Sequence, residues 1–151
     1  MSDACRHVAS MCNVDANPTN TPSASEPIVA EEYDPLVMYV VLRKDLAKTW
    51  PSGSMVAQAC HAVTKVLARH PNDPRVVEYL EGLDSMHKVV LGIKNMGQLE
   101  KLRLALQEAG FDHEEWVEQP EGIVTSIATL PYRRSIAVPF FRTTKCELYK
   151  N

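Results

Sequence analysis

The chain has 151 residues, 45% of them hydrophobic, enough for one ordinary globular domain to bury a core without cross-links. Its formal charge of -3 is unevenly spread, because Arg6 stands against Asp3, Asp15, Glu26, Glu31, Glu32 and Asp34 near the N-terminus and the remainder keeps a small basic excess. That balance excludes an indiscriminate polyanion binder, while leaving room for a local basic patch that holds a few phosphates.

Cys5, Cys12, Cys60 and Cys146 form neither a Cys-x-x-Cys pair nor the Cys/His spacing of a structural zinc site, so they read as reduced thiols and no metal is expected. The longest apolar run, Leu36 to Leu42, is too short to span a membrane. The N-terminus has neither a hydrophobic signal core nor an Arg-rich presequence. The expectation is a cytosolic or nuclear protein, taken as cytoplasmic.

Residues 1–34 are rich in Ser, Thr, Asn, Ala and Pro and poor in large apolar side chains, which predicts a disordered acidic tail before one domain over 35–151. Leu36 to Leu42 has the continuous apolar pattern of a central strand covered on both faces. A loop through Pro51 leads to a helix from Ser52 to about Arg69, stopped by His70-Pro71. Asp73-Pro74 is an N-cap and first-turn proline for a short second helix carrying Val76, Val77, Leu80 and Leu83. Lys88 to Ile93 reads as a strand. Asn95 and Gln98 suit a capping box for a third helix with Leu99, Leu102 and Leu106, and Gly110 suits its stop.

Trp116 and Val117 suggest a partly exposed strand, Ile123 to Leu130 another, and the short connection through Gln119-Pro120-Glu121-Gly122 favours an antiparallel hairpin. Segment 135–145 has helical spacing, but Pro139 argues against a helix and leaves it open. The order strand, helix, helix, strand, helix, strand, strand predicts an α/β fold: a three-layer α/β/α arrangement around a mixed, about four-stranded sheet.

The first helix is the most informative stretch. On a helical wheel Met55, Ala59, Ala62 and Val66 fall within roughly 40° of one another, while Val56, Leu67, Val63 and Cys60 fan out beside them. Gln58, His61 and Lys65 share a polar stripe bordering that face. The stripe is either the solvated rim of an amphipathic helix or a place where a ligand reaches two polar side chains. His61 is the most versatile acid/base candidate. Cys60 is expected to be a packed thiol and not His61's nucleophilic partner, because adjacent helical residues point about 100° apart.

The turn at Ser52 to Ser54 is either ordinary helix capping or a place for a phosphate or oxyanion. Glu118 and Thr125 are ordinary hairpin and strand residues, or parts of a site. Arg43, Lys44 and Lys48 follow the first strand, where α/β sheets commonly present ligands, and either meet phosphates or face water.

Met38 to Leu46, Ala57-Gln58-Ala59-Cys60-His61-Ala62, Lys88 to Leu91 and Gly122-Ile123-Val124-Thr125 together resemble the archaeal and eukaryotic type of peptidyl-tRNA hydrolase, over roughly residues 36–132. Trp50-Pro51 and Trp116-Val117-Glu118-Gln119-Pro120-Glu121 narrow the likeness to the eukaryotic branch called peptidyl-tRNA hydrolase domain-containing proteins. The resemblance implies hydrolysis of the ester between a peptide and tRNA by activated water, with no cofactor. Gln58, His61 and Thr125 match the family's positions. Glu118 is the nearest replacement for the aspartate of a shortened Asp-Ala-Gly-Arg-Thr loop, and Ser52-Gly53-Ser54 stands where typical members have Lys-Gly-Lys.

On this likeness His61, Glu118, Gln58 and Thr125 are the expected catalytic residues, with His61 or Glu118 as base. Arg43, Lys44, Ser54 and Lys88 are the expected contacts to the tRNA acceptor end. The alternative is a non-catalytic module that keeps the fold and binds tRNA or a protein partner.

Overall fold

The computed structural model describes residues 33–150. The tail expected to be disordered lies outside the described residues apart from Tyr33 and Asp34, and Cys5 and Cys12 lie outside them too. Asp34 accepts hydrogen bonds from the Ser135 amide at 2.9 Å and the Ser135 hydroxyl at 2.6 Å. These bonds, the hydroxyl's first, hold its carboxyl below the usual carboxylate range.

Strand β1 (Leu36–Arg43) is buried along its whole length, as its unbroken apolar run requires. It pairs in parallel with β2 (His87–Ile93) and antiparallel with β4 (Ile123–Thr129), while β3 (His113–Glu118) closes a hairpin onto β4. Two short strands enlarge the mixed sheet to six: β5 (Tyr132–Arg133) against the start of β1, and β6 (Glu147–Leu148) against Leu91 and Gly92 of β2. A two-residue strand is too short to show a period-two pattern, and only its pairing reveals it.

Alternation along β1 divides the core. Val37, Tyr39 and Val41 pack with Leu99, Leu102 and Leu106 of α3 (Met96–Glu108) and with Ala137 and Phe141 of α4 (Arg134–Thr143). Leu36, Met38 and Val40 pack with Ala62 and Val66 of α1 (Ser52–Arg69) and Val76 and Tyr79 of α2 (Pro74–Glu81). Helices therefore cover both faces.

The helix ends follow their local chemistry. Asp73 accepts from the Arg75 amide at 2.9 Å, Asn95 accepts from the Gln98 amide at 3.1 Å, and Gly110 takes φ 74° just beyond α3. Helix α4 includes Pro139, so tertiary packing prevails over the proline: Phe141 stacks on Tyr39 with ring centroids 4.1 Å apart, and Ala137 is fully buried.

Candidate active site

Helix α1 starts directly after Pro51 with no side-chain cap, and its first helical hydrogen bond runs from the Met55 amide to the Pro51 carbonyl at 3.2 Å. Met55, Ala62 and Val66 anchor it on the sheet. One flank then faces the β3–β4 hairpin and the other faces β2.

On the hairpin flank Gln58 is only 2% exposed, so the accessible stripe expected from the wheel is corrected here. Its side chain turns inward because β4 offers polar partners. The Thr125 hydroxyl donates to Gln58 Oε1 at 2.7 Å, and the Ser126 hydroxyl donates to the Gln58 carbonyl at 2.9 Å. Consecutive strand residues normally point to opposite faces. Here Trp116 pairs with Ser126 and Val117 with Val124, which leaves Thr125 unpaired in a β-bulge and lets both hydroxyls reach one glutamine.

Arg43 braces the same bulge. Its Nη1 donates to the Val124 carbonyl at 2.9 Å, while Nε and Nη2 grip Asp45 at 3.2 and 2.7 Å. The Asp45 carboxyl lies below its ordinary range chiefly through these hydrogen bonds from Arg43. With these donors engaged and only 9% of its surface exposed, Arg43 is tied to the hairpin.

His61 stays exposed and lies flat on Trp116, with ring centroids 4.4 Å apart and planes at 20°. The Trp116 indole N–H in turn donates to Glu118 Oε2 at 2.6 Å. One side chain thus ties the two expected acid/base residues together: its face holds the imidazole and its edge holds the carboxylate. Lys65, one turn on, donates to the Glu115 carbonyl at 2.6 Å and pairs with Glu114 at 3.6 Å, closing α1 onto β3.

Residues 36–146 match the family described as Peptidyl-tRNA hydrolase PTH2. The chain belongs to that family. It is also 46% identical over 118 residues to the human protein named "Putative peptidyl-tRNA hydrolase PTRHD1", covering 76% of this chain and 83% of the human one. The mouse protein of the same name is 43% identical over the same length and coverage.

Within this peptidyl-tRNA hydrolase fold the remaining expected residues are dispersed. Ser54 lies half-buried in the first turn of α1. Lys44 runs across β2 above Gly92, where a Cβ would stand 2.7 Å from its Cδ, and its ammonium meets Glu147 at 3.1 Å. Lys88 lies beyond the opposite flank of α1, its ammonium 5.1 Å from the centre of the Tyr79 ring, and burial pushes its pKa down. Cys60 is exposed on that flank, which corrects the expectation of a packed thiol. The wheel places it beside the apolar face correctly, but among the described residues no helix covers β2 there.

The residues overlooked in the sequence are Trp116, Ser126 and Asp45. Trp116 and Glu118 stand two apart on one strand, a spacing that brings both to one face and was available as a signal. The bulge that recruits Ser126 has no local signature, since Thr125 is flanked by ordinary strand residues.

Proposed function

We propose that the protein is an esterase that cleaves the bond between a peptide and the terminal ribose of tRNA, with water as nucleophile and no cofactor. One observation carries this reading: in a chain of the peptidyl-tRNA hydrolase family, α1 and the bulged hairpin gather Gln58, Thr125, His61 and Glu118 around one helix flank. His61 or Glu118 takes the proton of the attacking water, and Trp116 keeps the two groups in register. Gln58, with its oxygen held by Thr125, presents its amide donors to the ester or the water. Thr125 is a positioning residue in this scheme, because its hydroxyl proton is already given to Gln58.

The unpaired amides at the start of α1, around Ser54, stabilise the oxyanion of the tetrahedral intermediate. The ribose oxygen then leaves with the proton returned by the base. Lys44 and the neighbouring lysines attract the phosphates of the acceptor end, and the site of action is the cytoplasm. The test is release of free tRNA from N-blocked aminoacyl-tRNA by the full chain: turnover that His61→Ala and Glu118→Gln impair is expected. No turnover above buffer at high protein concentration would sink the hydrolase reading.

A second reading is favoured by the serines at 52 and 54, which lack the charge of the family's lysines. It is a non-catalytic module that binds tRNA. Salt-sensitive tRNA binding without ester cleavage in the same preparation would select it.

A further inference from the structure

Basic charge gathers at the end of the sheet where β1 and β2 finish. Two cavities open there, one of about 330 Å³ lined by Trp50, Ser52, Lys44, Lys48 and Lys150, the other of about 310 Å³ lined by Lys44, Lys48, Lys94 and Lys145 with Asp45 and Glu147. Lys44 and Lys48 line both, so the two form one strip. Its carboxylates are already engaged, Asp45 by Arg43 and Glu147 by Lys44. Lys48, Lys94, Lys145 and Lys150 are exposed and form no ion pair among the described residues, where the paired lysines are Lys44 and Lys65. In a chain with a formal charge of -3, this strip is locally cationic.

Trp50 is the aromatic member of the strip. Its amide donates to the Leu46 carbonyl at 2.9 Å, and it packs on Leu42, Leu46 and Met55 in a cluster that also takes in Ile123, the first residue of β4. It stays half-buried, with part of its surface in the first cavity. The strip therefore stands at the same sheet end as the start of β4, and the first turn of α1 lies between it and the hairpin flank. That turn is open: Ser52 and Gly53 are exposed, and nothing lies within 4 Å of a Cβ placed on Gly53. From Ser52 to Gln58 the helix rises about 9 Å, a span that an extended strand crosses in one or two nucleotides. An RNA strand whose terminal ester lies at Gln58 and His61 reaches Trp50 by passing over a helix end and not through a packed wall. Aromatic faces set among cations are the recurring make-up of surfaces that hold single strands, because unpaired bases stack and phosphates pair with the ammonium groups.

We propose that this strip is a track for the unpaired 3′ strand of the RNA, with a base next to the esterified nucleotide stacked on Trp50, the adjoining phosphates on Lys48 and Lys150, and the preceding ones on Lys94 and Lys145. The assignment rests on the hydrolase reading above and deepens it in two ways. The charge that Ser52 and Ser54 lack is supplied by lysines outside α1, and the protein distinguishes a free 3′ end from a paired one, since a base inside a duplex has both faces covered. Trp50 binds the strand and takes no part in cleaving the ester.

The test is equilibrium binding to the full chain of a single-stranded RNA ending in CCA, the same sequence in a blunt duplex, and adenosine monophosphate. The single strand should bind about tenfold more tightly than the duplex. Trp50→Leu, which keeps an apolar side chain on the Leu42 cluster, should weaken the single strand about tenfold, and Trp50→Phe should restore most of the loss. Lys48→Gln and Lys145→Gln should each weaken it and lower the slope of log Kd against log salt by about 0.7, while Lys101→Gln on α3 leaves both unchanged. With N-blocked aminoacyl-tRNA as substrate, Trp50→Leu should raise KM and leave kcat alone, and it should not alter cleavage of the same ester on free adenosine. Equal affinity for single strand and duplex overturns the proposal, as does strand binding that survives Trp50→Leu and both lysine variants. Adenosine monophosphate bound as tightly as the strand overturns it too, since the cavity would then be a mononucleotide site. Ester hydrolysis indifferent to all these variants leaves the hydrolase reading standing and removes this one. Strand binding that depends on Trp50 and the lysines, without hydrolysis, does the reverse.

Discussion

The two flanks of α1 differ in a way that its sequence barely suggests. Toward the hairpin, Gln58 and Lys65 are drawn into hydrogen bonds with β4 and β3, and His61 is pinned on Trp116. Toward β2, Val56, Cys60 and Val63 face an open groove. A polar stripe has become the better-sealed side and an apolar stripe the more accessible one. Each flank takes its character from the strand opposite it, since a bulged hairpin supplies hydroxyls and carbonyls whereas β2 has no covering helix there among the described residues. On the hydrolase reading, preorganisation for chemistry belongs to the first flank, while the second leaves an open groove.

The largest effect that would break this contrast concerns His61. On the hydrolase reading His61→Ala should reduce single-turnover release of tRNA by about 10²- to 10⁴-fold. Unchanged release would transfer the chemistry away from the hairpin flank. Arg43→Met should come next: it leaves the Asp45 carboxylate and the Val124 carbonyl without their partner, at a cost of about 2–3 kcal/mol in urea-denaturation midpoints. It should also lower turnover, because the bulge that aims Thr125 at Gln58 loses its brace.

Trp116→Phe preserves a ring under His61 but deletes the N–H that holds Glu118. A loss of about tenfold in kcat with little change in KM is expected, worth about 1.4 kcal/mol. A larger change in KM would assign Trp116 to substrate binding. Away from both flanks, Asp73 supplies a control on the scaffold. Its carboxyl is pushed down to about 2, first by the Arg75 side-chain hydrogen bonds, so it adds stability that is fully present above the ordinary aspartate range and is lost as the pH falls from about 4 toward 2. Asp73→Asn keeps a capping oxygen and should flatten that part of a stability-against-pH curve. Smallest of all, Val56→Glu should change the unfolding free energy by no more than about 0.5 kcal/mol, as befits a side chain already in water. A larger loss would show that the groove side of α1 is part of the core.

Much of the architecture was legible because it rests on local chemistry. The apolar run of β1, the Asp73 and Asn95 caps and the glycine after α3 act within a few residues, so their positions in the chain sufficed to place them. Residues 135–145 were not legible: the cost of Pro139 is local, whereas the gain from Phe141 stacking on Tyr39 is not. The site divides similarly. The spacing of Gln58 and His61 placed both on one side of a helix, but whether a side chain on that side is exposed depends on what stands opposite.

The family likeness, the central strand, the mixed sheet and the polar stripe were therefore determined by sequence alone, since periodicity, capping and motif are properties of neighbours along the chain. Tertiary structure decided that Gln58 is buried, that Cys60 is open, that Arg43 braces a bulge and that Trp116 joins His61 to Glu118. Each of those depends on contacts between segments far apart in sequence, and on hydrogen-bond demands that only the assembled interior imposes.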